Sequence, residues 1–279
     1  MEDLVTLFGF GFMQRALLAG ACIATVSGLL GTFVVQRGLA FLGDGLAHAA
    51  FGGIALGAFV AATLGNGFLL EEPLVIAVPF TLAAALGIAW VRDRTSLSSD
   101  VAIGVFFAVS VALGVLFISI IPPERNVIDV WHLLFGSILA VERGDLTVIM
   151  VVSGLVLVVL LAIWPRLAYA TFDSELAQTD GVRVGALEYL LFAVAALIVV
   201  VSAQVIGIVL MAAYLVIPAA AARLLARSLF AMTLLAVTLG LVSTFAGLVV
   251  SFLADIPSGS TIILAQAALF LAATSLQRR

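Results

Sequence analysis

The chain has 279 residues, of which 64% are hydrophobic and 10% charged, with a mean hydropathy of +1.32 and a formal net charge of −4. Soluble domains carry roughly 25% charged residues, so a soluble globular class is excluded and a multi-pass membrane protein is indicated. All 12 basic residues are arginine; without lysine there can be no Walker A loop, whose Gly-Lys-Ser/Thr grips phosphates, and any ATP hydrolysis must come from another subunit.

Backbone groups in hydrocarbon must pair internally, which leaves helices or closed barrels. The apolar runs are about 20 residues long and lack period-two alternation, so an all-α transmembrane bundle is expected. Spans are expected near 14–35, 46–64, 73–91, 101–121, 146–165, 187–203, 206–222, 228–252 and 259–276. Nine is the expected number. Eight is the alternative, because 187–222 could be two short crossings around Gln204 and Gly207 or one long broken element.

Short cytoplasmic loops collect arginine. With nine spans, Arg37, Arg92, Arg94, Arg166, Arg183, Arg223, Arg227, Arg278 and Arg279 fall on one side. Arg125, Arg143 and the boundary residue Arg15 fall on the other, together with Glu71, Glu72 and Glu124. The C-terminus is therefore expected in the cytoplasm and the N-terminus outside. Trp90, Trp131 and Trp164 lie near span ends, where interfacial tryptophans belong. Acidic Glu2 and Asp3 replace a basic leader, so a cleaved signal peptide is not expected.

Residues 38–57 carry the main chemical signal. Asp44 and His48 are four apart, hence one turn above each other on a helix face. Ionisable groups at membrane depth are costly and mark ion or substrate pathways, and this oxygen–nitrogen pair suits a divalent transition metal. The competing reading is an Asp–His hydrogen bond that locks two helices. Gly43 and Gly45 flank Asp44 and are expected to loosen the helix there and allow a break. Gly53 and Gly57 form a GxxxG packing pair.

Pro122-Pro123 ends a helix, and 131–139 is too short to span, so a re-entrant or interfacial helix is expected on the outer side. The loop 166–187 is expected in the cytoplasm. In it Asp173 could cap a short helix and Gly181 end it, a shape that a partner ATPase could grip. Asp100 reads as a first-turn acid, Asp255 as an outer turn, and His132 as structural. No His-Glu-x-x-His or Gly-x-Ser-x-Gly is present, so an enzyme is not expected.

Several stretches together resemble the permease subunits of zinc, manganese and iron ABC importers. They are 28–37, 41–49 (Phe-Leu-Gly-Asp-Gly-Leu-Ala-His-Ala), 134–140, 172–177 (Phe-Asp-Ser-Glu-Leu-Ala), 215–225 and 257–262, in the family's order. The resemblance implies a single permease domain over 1–279, related in fold to the cobalamin and iron-siderophore permeases. It implies a homodimer, two ATP-binding subunits and an extracytoplasmic metal-binding protein in a bacterial-type inner membrane, with no nucleic-acid partner. Asp44 and His48 match the family's metal-contacting pair. Phe172, Asp173, Glu175, Leu176, Ala177 and Gly181 match the ATPase-coupling helix, although Thr179-Asp180 replaces its usual small or apolar pair. The metal would be cargo, and no permanently bound cofactor is implied. An ion-coupled secondary transporter, with Asp44 and His48 relaying protons, is the alternative.

Overall fold

A computed structural model describes residues 9–65, 72–122 and 130–277. It is helical throughout the regular elements. The long helices are α1 (Gly11–Gln36), α2 (Leu42–Leu64), α3 (Leu74–Arg94) and α4 (Ser99–Ile120). A short α5 (Val130–Phe135) and a 3-10 turn (Ile138–Ala140) precede α6 (Arg143–Phe172) and the short α7 (Ser174–Thr179). Then come α8 (Val184–Ile206), α9 (Ile208–Leu225), α10 (Leu229–Ala254) and α11 (Ser258–Gln277). Among the described residues nine helices are long and apolar enough to cross a membrane, as expected.

The ambiguous stretch resolves into two helices, because Gly207 takes φ +86° between α8 and α9. Its backbone meets that of Gly136, at φ +52°; a methyl on Gly136 would sit 2.3 Å from the Ile206 carbonyl carbon. Only glycine tolerates both the conformation and the approach.

Packing sorts the helices by composition. Glycine and alanine let helices approach where lipid supplies no hydrophobic drive between them. A methyl on Gly31 of α1 would lie 2.2 Å from the Leu215 carbonyl of α9, and one on Gly28 would lie 2.8 Å from Val237 N of α10. In α2, Gly53 presses on Ala77 of α3 in the same way, whereas Gly57 has ordinary room. Helices α1, α2 and α8 are the most buried, and α2 packs against α3, α4, α8 and α9. Helices α4, α6 and α11 lie at the periphery.

The two ends of the bundle can be told apart by their bonds. At one end Arg37 donates to Thr171 Oγ1 (2.9 Å), Arg92 pairs with Glu188, and Arg223 donates to the Val35 carbonyl (3.1 Å). At the other, Arg15 donates to the Val141 carbonyl (2.8 Å), and Gly259 packs on the Phe135 carbonyl.

The structure corrects three expectations. The helix does not break at Gly43 or Gly45, since α2 is continuous from Leu42. The glycines serve packing instead: methyls there would meet Leu215 Cδ2 at 2.9 Å and Ile103 Cγ2 at 2.5 Å. The loop read as 166–187 is helical to Phe172, because Leu167 and Ala170 are buried and Thr171 is bound by Arg37. Trp164 stands within α6, which runs on to Phe172, and not at a span end, and it packs edge-on against Phe33 (4.8 Å). Glu2, Asp3, Glu71, Glu124, Arg125, Asp129, Arg278 and Arg279, and the side chains of Trp131 and His132, lie outside the described residues.

Candidate functional site

A turn between α1 and α2 sets up the pair. Gly38 (φ +67°) donates to the Val35 carbonyl and Leu39 to the Val34 carbonyl, a Schellman closure of α1. Leu39 is buried, and Leu42 donates back to its carbonyl, so the turn is held on both sides. Helix α2 then opens with Asp44 in its first turn.

His48 Nδ1 lies 3.0 Å from the Asp44 backbone carbonyl and 3.4 Å from Asp44 Oδ1. A carbonyl oxygen only accepts, so Nδ1 carries a proton, and in the neutral imidazole the lone pair is on Nε2. The bond orients the ring so that Nε2 is the nitrogen able to act as a ligand, and the carboxylate stands one turn below it. Phe107 of α4 closes edge-on over the ring at 4.5 Å. The side chains remain 21% (His48) and 46% (Asp44) exposed. Among the described residues no group of three or more His, Cys, Asp or Glu gathers at one point. The arrangement offers one oxygen and one nitrogen ligand, open on one side.

Helix α7 sits on the last turn of α6. Asp173 ends α6 and caps α7, its Oδ1 accepting from Leu176 N at 2.8 Å. Gly181 (φ +83°) follows α7, and Tyr169 donates to Asp180 Oδ2 (2.5 Å) across the turn. Thus Asp180, the departure noted above, ties α7 back onto α6. Ala177 is buried, whereas Phe172 (68% exposed) and Leu176 (51%) point outward beside Glu175.

Elsewhere, Asp100 lies in the first turn of α4 behind the N-cap Ser98, and Asp255 is the left-handed residue ending α10. Gln204 Oε1 is buried without a hydrogen-bond partner. It is not the acceptor of an interhelical bond. Sequence reasoning missed Phe107 and Thr171; each is one apolar or hydroxyl residue among many, and only the packed helices show what it touches.

Nine long apolar helices among the described residues, an Asp–His pair opening a buried helix, and a short helix displayed at one end define a polytopic membrane permease. The chain belongs to the ABC 3 transport family, whose model matches residues 9–277. The manganese transport system membrane protein MntC of Listeria innocua is 33% identical over 96% of this chain and 91% of the relative. The manganese import system permease protein ScaB of Streptococcus gordonii is 36% identical over 97% and 93%. The solved PsaBC from Streptococcus pneumoniae in complex with Fab superposes with a TM-score of 0.81, at 32% identity, covering 98% of this chain and 94% of that one. A chain titled as an inward-facing metal-chelate type ABC transporter shares the fold at 20% identity, with a TM-score of 0.67 over 94% of this chain and 87% of that one. The family makes this chain a transport subunit, with ATP hydrolysis belonging to other subunits.

Proposed function

We propose that this chain forms the path of an ABC importer for a divalent transition metal, with manganese the first candidate and zinc or iron behind it. The observation that carries this reading is the Asp44–His48 pair, with Nδ1 committed to a carbonyl and Nε2 free. Relatives named for manganese transport support the choice of metal. Manganese accepts mixed carboxylate and imidazole ligands.

Two ligands per chain are too few for a tight structural site, which needs about four. Passage requires weak binding. A second copy related by a two-fold axis would bring another Asp44 and His48 to the same ion and cover the exposed carboxylate, which is costly against hydrocarbon. Two ATP-binding subunits would dock on α7 through Phe172, Asp173, Glu175, Leu176, Ala177 and Gly181. An extracytoplasmic binding protein would deliver the ion at the Gly136 end. The Arg37 end would then face the cytoplasm, and alternating access would open the Asp44–His48 level to each side in turn.

Uptake of manganese into liposomes containing the permease, its ATPase and binding protein tests the reading. ATP-dependent uptake that is lost in Asp44→Asn and His48→Ala is expected. Uptake driven by an ion gradient without ATPase would overturn it in favour of a secondary transporter.

A further inference from the structure

Arg37 bridges the end of α1, which leads into the Asp44–His48 helix, and the last turns of α6, which carries α7. Its guanidinium Nε donates to Thr171 Oγ1 at 2.9 Å and Nη2 reaches the Leu167 carbonyl at 3.5 Å. Thr171 spends its own proton on the Leu167 carbonyl (2.6 Å), which leaves its oxygen to accept from Arg37. Arg37 is half-buried, within electrostatic range of Glu188 and Arg92, and those two pair across α3 and α8. We propose that Arg37 is the positioning residue that transmits movement of α7 to the metal-binding turn of α2.

The geometry gives a continuous set of stiff parts. Helix α7 is clamped to the last turn of α6 at both ends, by the Asp173 cap and by the Tyr169–Asp180 bond. Thr171 lies in that same turn of α6. Arg37 grips it from the C-terminus of α1, and the Schellman closure at Gly38 and Leu39 leads directly into α2. Asp44 follows within one turn of the helix start. Energetic coupling between sites can be carried by chains of packed and hydrogen-bonded elements, and each link here is such a contact. A planar guanidinium that bonds two acceptors of one helix fixes orientation as well as distance, which a single ammonium does not.

The inference rests on the permease reading of the preceding subsection. Its test uses the complete complex of permease, ATPase and binding protein in liposomes, with ATP hydrolysis and manganese uptake measured side by side for Arg37→Gln, Thr171→Val, the double variant and Arg37→Lys. Arg37→Gln is expected to lower the manganese moved per ATP about tenfold while hydrolysis stays within about twofold and bound manganese is unchanged. Thr171→Val, which removes the acceptor for Arg37 together with Thr171's own bond to the Leu167 carbonyl but leaves the guanidinium in place, is expected to give a smaller loss of the same kind. The double variant should be no worse than Arg37→Gln alone, and Arg37→Lys should recover part of the ratio.

An unchanged ratio in Arg37→Gln, a parallel fall of uptake and hydrolysis, or multiplying losses in the double variant would overturn the proposal. If Arg37→Gln fails to assemble, Thr171→Val decides alone: an unchanged ratio there overturns the role. Wild-type complex without ATP-driven uptake would overturn the permease reading and this one together, whereas a fully coupled Arg37→Gln complex overturns only this one.

Discussion

At the scale of single residues, His48 has one nitrogen committed and one available. Its Nδ1–H points at the Asp44 carbonyl, so the ligand role falls to Nε2 and replacement by alanine removes it outright. His48→Ala and Asp44→Asn are each expected to cut manganese uptake by at least about tenfold, equivalent to about 1.4 kcal/mol, with the thermal unfolding midpoint of the detergent-purified protein close to wild type. Loss of fold in both would assign the pair to helix locking. Glycine positions separate on the same scale. Gly31→Ala forces a methyl against the Leu215 carbonyl and should destabilise by about 1–3 kcal/mol, as overpacked sites do. Gly104→Ala, with open space around it, should fall within about 0.5 kcal/mol of wild type. Thermal unfolding of the two variants side by side checks the contrast.

Among the elements, α7 presents an outward face that has no cover within the described residues. Leu176 on this six-residue helix and Phe172 at the end of α6 beside it are apolar and exposed, and so short a helix cannot be stable by itself. It is held by its cap and by the Tyr169–Asp180 tie to α6. Burying one such side chain contributes about 1.5–3 kcal/mol. The combined Phe172→Ser and Leu176→Ser variant should therefore lose ATPase co-purification by tenfold or more while the bundle stays folded. Asp173→Ala removes the cap, worth about 1 kcal/mol, and should weaken the same association to a smaller degree. Retention of the ATPase in both variants would move the docking surface elsewhere. Helix α2 shows the opposite design. It packs against four other helices, and its glycines at 43 and 45 set how closely Leu215 and Ile103 approach its first turn.

For the whole molecule, the ends of the bundle carry different chemistry. Arg37, Arg92 and Arg223 gather at one end, and the paired glycines Gly136 and Gly207 sit at the other. Arginine favours the cytoplasmic side. In a Cys22→Ser background, Glu72→Cys should react with a membrane-impermeant maleimide in intact cells, and Arg227→Cys should react only after permeabilisation. The reverse pattern would invert the topology. Exposure of Asp44 on one chain further predicts two permease copies per complex, readable as the mass of the detergent-solubilised assembly after correction for bound detergent.

The membrane class, the number of spans, the Asp–His pair and the small capped helix were legible in the sequence, because each depends on short-range order. Twenty apolar residues, a spacing of four, or an Asp ahead of a short helical run carry their meaning wherever the chain places them. Tertiary structure alone decided what the glycines do. Gly43 and Gly45 look like helix breakers in isolation, and they are close-packing positions because Leu215 and Ile103 arrive from helices far away in the chain. It likewise decided that α6 runs through Pro165 to Phe172, since burial of Leu167 and Ala170 outweighs the polar residues that suggested a loop. The bond from Arg37 to Thr171 spans 134 positions. An arginine at a span end reads locally as a topology signal; its partner, and with it a role in coupling, exists only once the helices are packed.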